Sequence, residues 1–189
     1  MNYFQAIIFD RDGVLNRTTQ ILRADQQAGD ATDGYVLHPS ELELFPEVKP
    51  ALALLKQNGL KVFVFTQQNC VGKGLVTEEG VQAVHAHLNT LIAPEAVVEE
   101  FYLATHKDHP RAKPNPMMIN EILEKYGYAP YEVLVVGDSM RDYKAAKAAE
   151  TPFVWVRDDL GRVSEEDMSA TGCAVFDNVL QVVETAVLK

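Results

Sequence analysis

The chain has 189 residues, 47% hydrophobic and 23% charged, a composition that is ordinary for a globular domain and excludes extended disorder. This length suits a single domain with one buried core. The formal net charge of −10 makes nucleic acid an unfavourable partner, because the average surface repels polyanions. A local basic pocket can still bind one phosphate, so a small phosphorylated molecule stays open as a substrate.

The N-terminal residues run directly into a strand-like segment, without the pattern of a secretory signal, and no apolar run reaches membrane-spanning length. The two cysteines, Cys70 and Cys173, have neither CxxC spacing nor the density of a disulfide framework. We therefore expect a cytoplasmic protein without a membrane anchor, with two structural or incidental thiols, and a monomer by default.

Short apolar runs alternate with helical patterns along the chain. The runs predict strands at Ala6–Phe9, Val62–Phe65, Phe101–Leu103, Val133–Val136 and Phe153–Val156. The helical patterns cover Val48–Gln57, Glu78–Leu91, Pro116–Tyr126, Met140–Ala149 and Asn178–Leu188. This alternation predicts an α/β fold, a three-layer Rossmann-like parallel sheet with helices on both faces. We expect one domain over residues 1–189, with residues 17–40 as a possible flap over the site.

Polar residues follow the predicted strands at one end of this sheet, where ligands bind in such folds. Asp10 and Asp12 follow the first strand, Thr66 the second, and Asp138 the fourth, while Lys113 lies some way past the third. Clustered carboxylates suit Mg²⁺. Taken alone, each aspartate could be a solvated loop acid, Lys113 a surface lysine, and Thr66 a threonine that merely ends a strand. Their placement at four successive loops favours an active site.

Residues 9–15 (FDRDGVL) resemble the first motif of the haloacid dehalogenase superfamily, in which an aspartate nucleophile precedes an acid/base aspartate by two residues. Thr66 resembles the second motif and Lys113 the third, and residues 137–142 (GDSMRD) resemble the fourth. The motifs occur in order between residues 7 and 155. The chain is therefore identified as a member of this superfamily.

A closer resemblance is to the branch that contains heptose bisphosphate phosphatases, histidinol-phosphate phosphatases and polynucleotide 3′-phosphatases. Asn16, residues 34–36 (GYV), residues 66–68 (TQQ) and residues 113–117 (KPNPM) stand where this branch tends to show DRDGxxN, GYV, TNQ and KPxPGM.

Residues 104–112 (ATHKDHPRA) depart from that branch, whose zinc-loop members carry three cysteines and a histidine there. His106 and His109 alone lack the four ligands of a closed zinc site, so we interpret them as solvated loop histidines, with substrate contact and metal binding as the alternatives. Ala112 also replaces an arginine that commonly precedes the motif lysine in the heptose enzymes. Arg111 is the candidate substitute.

The resemblance implies a mechanism that depends on Mg²⁺. Asp10 and Asp138 would bind the metal through side-chain oxygens, and Asp12 through its backbone carbonyl. Asp10 would form an aspartyl-phosphate, while Asp12 would first protonate the leaving oxygen and then activate water. Thr66 would hydrogen-bond the phosphoryl group, whose charge Lys113 would balance.

The expected substrate-binding residues lie beside these groups and are Arg11, Gln67, Gln68, Arg111 and Asp142. At Arg11 the contact would come from the backbone N–H groups around it. Asp142 would orient Lys113 or a metal-bound water, and the alternative for it is a first-turn acid that stabilises a helix. The implied substrate is a small phosphorylated metabolite such as a sugar phosphate or bisphosphate.

An acid at Asp12 implies phosphatase or phosphomutase chemistry. The intervals from Asp10 to Thr66 and from Thr66 to Lys113 are too short for the large caps of other members, so we expect an essentially capless enzyme that favours hydrolysis. The alternatives are a polynucleotide 3′-phosphatase, which would need a basic groove, and a non-catalytic domain that kept the fold.

Overall fold

The computed structural model describes residues 3–18, 34–157 and 163–188. At its centre is a parallel sheet of six strands: β1 (Ala6–Phe9), β2 (Lys61–Gln67), β3 (Glu100–Ala104), β4 (Val133–Gly137), β5 (Phe153–Val156) and β6 (Val175–Phe176). The spatial order is β3-β2-β1-β4-β5-β6, and every neighbouring pair is parallel. The predicted α/β class with a Rossmann-like parallel sheet is confirmed.

The helices are α1 (Val48–Gln57), α2 (Asn69–Gly72), α3 (Glu78–Ile92), α4 (Met117–Tyr126), α5 (Met140–Ala148), α6 (Glu165–Ala170) and α7 (Val179–Val182). The chain continues from α7 into a π-helical turn over Val183–Val187, and 3-10 turns cover Pro39–Glu41 and Pro130–Glu132. Among the helices that the structure describes, none combines the length and apolar character needed to cross a bilayer.

The core consists of two layers, one on each face of the sheet. Successive side chains of a strand point to opposite faces, so Ile7 and Phe9 of β1 enter one layer and Ala6 and Ile8 the other. The first layer is completed by α1, α3 and α7, and the second by α4, α5 and α6. All four residues of β1 are fully buried, as expected of a central strand covered on both faces.

The structure differs from the predicted elements mainly at the C-terminal end. The predicted helix Asn178–Leu188 begins at Val179 and changes to π-helical hydrogen bonding at Val183. The sequence patterns also missed β6, α2 and α6, which are only two to six residues long. Elements this short carry too few residues for a periodic pattern.

The strand order reverses between β1 and β4, the point where parallel sheets of this type bind ligands. Between Thr66 and Lys113 the chain contains α2, α3, β3 and their connections, so this interval holds no inserted cap domain. Of the predicted flap at residues 17–40, residues 19–33 lie outside the described residues, and the flap stays a prediction.

Candidate active site

A tight turn after β1 brings two carboxylates to the carboxyl end of the sheet. Asp10 continues the strand, since its N–H donates to the Val136 carbonyl of β4 at 2.9 Å. Gly13 then adopts a φ of +88°, and its N–H donates to the Asn16 carbonyl at 2.8 Å, which closes the turn. A side chain at this φ would be strained, so glycine is favoured immediately after Asp12.

Asp12 is held by three buried side chains. Arg11 donates from Nε and Nη2 to Oδ1, at 3.2 and 3.0 Å, and from Nη2 to Oδ2 at 2.9 Å. Asn16 Nδ2 donates to Oδ1 at 2.9 Å, and Gln68 Nε2 donates to Oδ2 at 2.6 Å. Both oxygens of the carboxylate therefore have donors from within the protein.

These donors favour the ionised form of Asp12. Burial alone would raise the pKa of this carboxyl, but the Arg11 guanidinium and the hydrogen bonds from Asn16 and Gln68 outweigh burial and hold the pKa below its usual value. Asp12 is therefore ionised in the free protein at neutral pH.

Thr66 is the last residue but one of β2, lies beside this group and is buried. Gln68 Nε2 donates to Thr66 Oγ1 at 2.8 Å, which leaves the hydroxyl hydrogen of Thr66 available to another acceptor. Gln67 instead turns to Asn69, where its Nε2 donates to Oδ1 at 3.0 Å. Of the two glutamines, Gln68 is the one that the structure ties directly to Asp12.

Lys113 crosses from the loop after β3 into the centre of the site. Its Nζ lies 2.9 Å from Asp10 Oδ1 and 2.6 Å from Asp142 Oδ1, and it donates to the Phe65 carbonyl at 3.3 Å. Only 4% of its side chain is exposed. A solvated surface lysine is therefore excluded, and the ammonium group joins the first and fourth motif loops.

The buried charges shift one another's pKa values. Burial, opposed by Lys113 and reinforced by Asp142, raises the pKa of Asp10 from 3.8 to about 6. Burial works to lower the pKa of Lys113, but Asp10 and Asp142 outweigh it and hold the pKa above its usual value. Lys113 therefore stays protonated. A divalent cation bound at Asp10 would favour the ionised form of Asp10.

The loop after β4 supplies Asp138, and the first turn of α5 supplies Asp142. Both are buried. Asp142 Oδ2 accepts from the Ser139 N–H at 3.0 Å and from Ser139 Oγ at 2.6 Å, in a capping box at the start of α5. The same carboxylate holds Lys113 through Oδ1, so both interpretations of Asp142 apply at once.

Gly137 makes this close approach possible. A Cβ at this position would lie 2.5 Å from Asp142 Cβ and 2.9 Å from its Cγ, distances at which the helix would have to move. The glycine that ends β4 therefore determines where Asp142 lies, and through it the position of Lys113.

The carboxyl oxygens of Asp10, Asp138 and Asp142 lie within 4.8 Å of one another. Within the described ranges they form the only group of three or more His, Cys, Asp or Glu side chains arranged to hold a metal ion. Hard carboxylate oxygens suit Mg²⁺. The residues present therefore fit such a cation.

The Arg11 side chain points into the interior and is not placed to contact a substrate. Its side chain is fully buried, and its backbone N–H donates to Asp10 Oδ1 at 2.7 Å. The predicted substrate contact from the backbone at this position stays a prediction, and the side chain serves Asp12 instead.

Arg111 lies away from this cluster of contacts. Its Nε pairs with Glu121 of α4 at 2.9 Å, and its N–H donates to His109 Nδ1 at 3.0 Å. Arg111, His109 and His85 all line a cleft of about 500 Å³ between α3 and β3. Ala112 is buried against the second core layer. Arg111 does not pair with Asp10 or Asp12, so its predicted role in substrate binding stays a prediction.

Sequence reasoning identified Asp10, Asp12, Thr66, Lys113 and Asp138 as candidates, and the structure brings them to one end of the sheet. It did not foresee the bonds from Asn16 to Asp12 or the inward course of Arg11. The contact of Asn16 could have been predicted from its position four residues after Asp12, on the other side of the turn at Gly13.

A model of the haloacid dehalogenase-like hydrolases matches residues 17–150. The D-glycero-beta-D-manno-heptose-1,7-bisphosphate 7-phosphatase of Pseudomonas aeruginosa is 31% identical over 182 residues, which cover 93% of this chain and 94% of that protein. The protein of the same name from Mesorhizobium japonicum is 29% identical over 167 residues, covering 82% and 70%. Among solved structures, this chain is similar to D,D-heptose 1,7-bisphosphate phosphatase from B. bronchiseptica, complexed with magnesium and phosphate. The TM-score is 0.81 at 27% identity, and the superposition covers 97% of this chain and 98% of that one.

The chain therefore belongs to the haloacid dehalogenase-like hydrolases. Within this family it is a phosphatase, since the relatives that it matches along most of their length are phosphatases. The non-catalytic alternative is thereby overturned.

Proposed function

We propose that this phosphatase is a Mg²⁺-dependent phosphomonoester hydrolase that forms an aspartyl-phosphate on Asp10. The observation that carries the proposal is the contact of Lys113 Nζ with Asp10 Oδ1 at 2.9 Å, at the point where the strand order reverses. The buried ammonium neutralises a carboxylate that would otherwise repel a phosphate dianion.

Mg²⁺ would be held by the side chains of Asp10 and Asp138 and by the backbone carbonyl of Asp12. When bound, it supplies positive charge that offsets the negative charge of the transferring phosphoryl group. The acidic cluster of the site supports this part of the proposal.

Asp10 would attack phosphorus through Oδ2. Its other oxygen, Oδ1, already accepts the Arg11 N–H and contacts Lys113, which fixes the orientation of the carboxylate. The new bond joins Oδ2 to phosphorus as the bond from phosphorus to the substrate's ester oxygen breaks. Thr66, whose hydroxyl hydrogen is available, would donate to a phosphoryl oxygen.

Asp12 would give a proton to the departing ester oxygen. As a carboxylate it would then take a proton from the water that attacks the phospho-enzyme, which releases phosphate and regenerates Asp10. The lowered pKa keeps Asp12 ionised in the free enzyme, so it would take up the proton for the ester oxygen from solvent or from the phosphate monoanion as the substrate binds.

The proposed substrate is a small phosphorylated metabolite such as a sugar phosphate or bisphosphate. The names of the relatives, heptose-1,7-bisphosphate 7-phosphatases, support a sugar bisphosphate. Ala112 lacks the cation that commonly precedes the motif lysine in the heptose enzymes, and Arg111 pairs with Glu121, so monophosphates belong in the same test. A net charge of −10 disfavours polynucleotide ends.

Residues 1–189 are proposed to form one catalytic domain that acts as a cytoplasmic monomer. The two free cysteines support a reducing compartment. Burial raises the pKa of the Cys70 thiol to about 11, which makes it unreactive at neutral pH.

The test is phosphate release from a panel of sugar monophosphates and bisphosphates, including heptose 1,7-bisphosphate, with Mg²⁺ or with EDTA. Asp10→Asn is compared with the parent protein, and Asp177→Asn, at an exposed acid that pairs with Arg157, is the matched control. We expect release that needs Mg²⁺, persists in the control and is lost in Asp10→Asn. After rapid acid quenching, radiolabelled phosphate should remain on the parent protein but not on Asp10→Asn. Release that survives Asp10→Asn, or that EDTA leaves intact, would overturn the mechanism.

A further inference from the structure

Arg11 is a fully buried arginine in direct contact with the acid/base carboxylate. Its guanidinium reaches both oxygens of Asp12, with Nη2 at 3.0 Å from Oδ1 and 2.9 Å from Oδ2 and with Nε at 3.2 Å from Oδ1. Planar, multiply bonded contact of this kind fixes direction as well as distance, which a lysine cannot do.

The contact comes from the interior side of Asp12. Arg11, Asn16 and Gln68 are each fully buried, whereas 18% of the Asp12 side chain is exposed. The three donors therefore lie in the interior, and the exposed part of the Asp12 side chain is what remains for a substrate to contact.

Stability alone does not account for this buried pair. Removing a guanidinium from water costs several kcal/mol, and apolar replacements of buried ion pairs are often neutral or stabilising. Moreover, Arg11 Nη1 is buried without a hydrogen-bond partner in the part of the chain that the structure describes. An unpaired donor of this kind is a cost that the fold does not need.

We propose that Arg11 is a positioning residue, which holds the Asp12 carboxylate in the orientation needed for proton transfer. The inference rests on the proposed function, because it assigns a role to a neighbour of the proposed acid/base. Proton transfer requires the carboxylate to lie within hydrogen-bond reach of the ester oxygen, and displacement by about 1 Å can reduce a rate about 100-fold.

The role can be separated from general structural support by changing the leaving group. Departure of a sugar alkoxide needs the proton from Asp12, whereas p-nitrophenolate departs without one. Values of kcat/KM report the first half-reaction, in which the leaving group departs, so they exclude the later attack of water. A defect in the orientation of Asp12 should therefore slow the sugar phosphate more than p-nitrophenyl phosphate.

The experiment measures kcat/KM with the best sugar phosphate of the panel and with p-nitrophenyl phosphate. Arg11→Met, which keeps an unbranched side chain but removes its charge and donors, should lower kcat/KM about 100-fold for the sugar phosphate and less than about 10-fold for p-nitrophenyl phosphate. Asp12→Asn should show the same selectivity. Arg11→Lys, which keeps the charge, should recover only part of the loss. Arg157→Met, at an exposed arginine paired with Glu165, is the control and should behave as the parent.

Equal losses on the two substrates, or no loss, would overturn the positioning role. If Arg11→Met does not fold, Arg11→Lys and Arg11→Gln decide by the same ratio. Absence of Mg²⁺-dependent turnover in the parent, or turnover that Asp10→Asn keeps, would instead overturn the proposed function, and this inference would fail with it.

Discussion

Lys113 Nζ lies 2.6 Å from Asp142 Oδ1, and the exposed fraction of either side chain is at most 4%. Because Lys113 also contacts Asp10, removing it would leave one buried and one largely buried carboxylate without their cation. A buried charge that loses its partner typically costs about 3–5 kcal/mol.

Lys113→Met should therefore lower the free energy of unfolding by about 3–5 kcal/mol in the absence of Mg²⁺ and abolish phosphate release. Urea unfolding followed by circular dichroism measures the first effect. Lys125→Met is the control, since Lys125 is half-exposed in its pair with Glu100 and should cost no more than about 1 kcal/mol. A Lys113→Met protein as stable as the control would contradict the proposed charge balance.

Gly137→Ala should disturb the same pair from the opposite side. The added methyl group would meet Asp142 Cβ at 2.5 Å, so α5 must shift, at a cost of about 1–3 kcal/mol, and phosphate release should fall although every catalytic side chain is still present. Gly80→Ala in α3 is a suitable control, because its Cβ would meet only a Val76 methyl group at 2.4 Å, which can turn away. Equal activity in the two variants would show that the approach of Asp142 to β4 is not needed for catalysis.

Mg²⁺ should stabilise the folded protein through Asp138. A ligand that binds only the folded state at 100 times its dissociation constant adds about 2.7 kcal/mol, and thermal unfolding with and without Mg²⁺ measures this gain. Asp138→Asn should remove most of the gain, whereas Asp177→Asn should keep it. If Mg²⁺ stabilises Asp138→Asn as much as the parent, the ion binds elsewhere.

His85 predicts how stability depends on pH. Its ring stacks on Phe101 at 4.2 Å between centroids, and burial, followed by the charge of Arg11, lowers its pKa from 6.5 to about 3. As the pH falls below about 6.5, the unfolded chain binds a proton at this position and the folded chain does not. The stability contributed by neutral His85 is complete above that pH and is lost progressively toward pH 3.

His85→Leu should therefore gain stability relative to the parent when the pH is lowered from 8 to 5. The shift in the difference between their free energies of unfolding should be about 2 kcal/mol, at about 1.4 kcal/mol per pH unit below 6.5. The difference at pH 8, where the imidazole is neutral in both states, supplies the packing contribution alone. A difference that is constant with pH would contradict the burial of a neutral ring.

The sequence predicted the central elements well because their signals are local. The bounds of β1, α1 and β5 agree with the prediction, since each is an apolar or amphipathic run that ends at a polar residue or a turn. The two-residue strand β6 has no such pattern and depends on its pairing with β5. A strand of this kind is determined by tertiary contacts, which a local pattern does not contain.

The site shows the same division. Asp10, Lys113 and Asp138 could be predicted because they follow strands whose ends must meet at one edge of a parallel sheet. The position of the Arg11 side chain could not be predicted, because the sequence does not show that a charged side chain here is buried and contacts Asp12. The double engagement of Asp142 also required coordinates, because the sequence alone does not distinguish a helix cap from a partner of Lys113.

The pairing of β1 with β4, in which Ala6 lies opposite Val133, also has a consequence for synthesis on the ribosome. The first motif leaves the exit tunnel well before β4, which is one of the two neighbours of the central strand β1. Until that neighbour emerges, one edge of β1 and its apolar side chains stay exposed. Catalytic competence should therefore appear only after translation has passed α5.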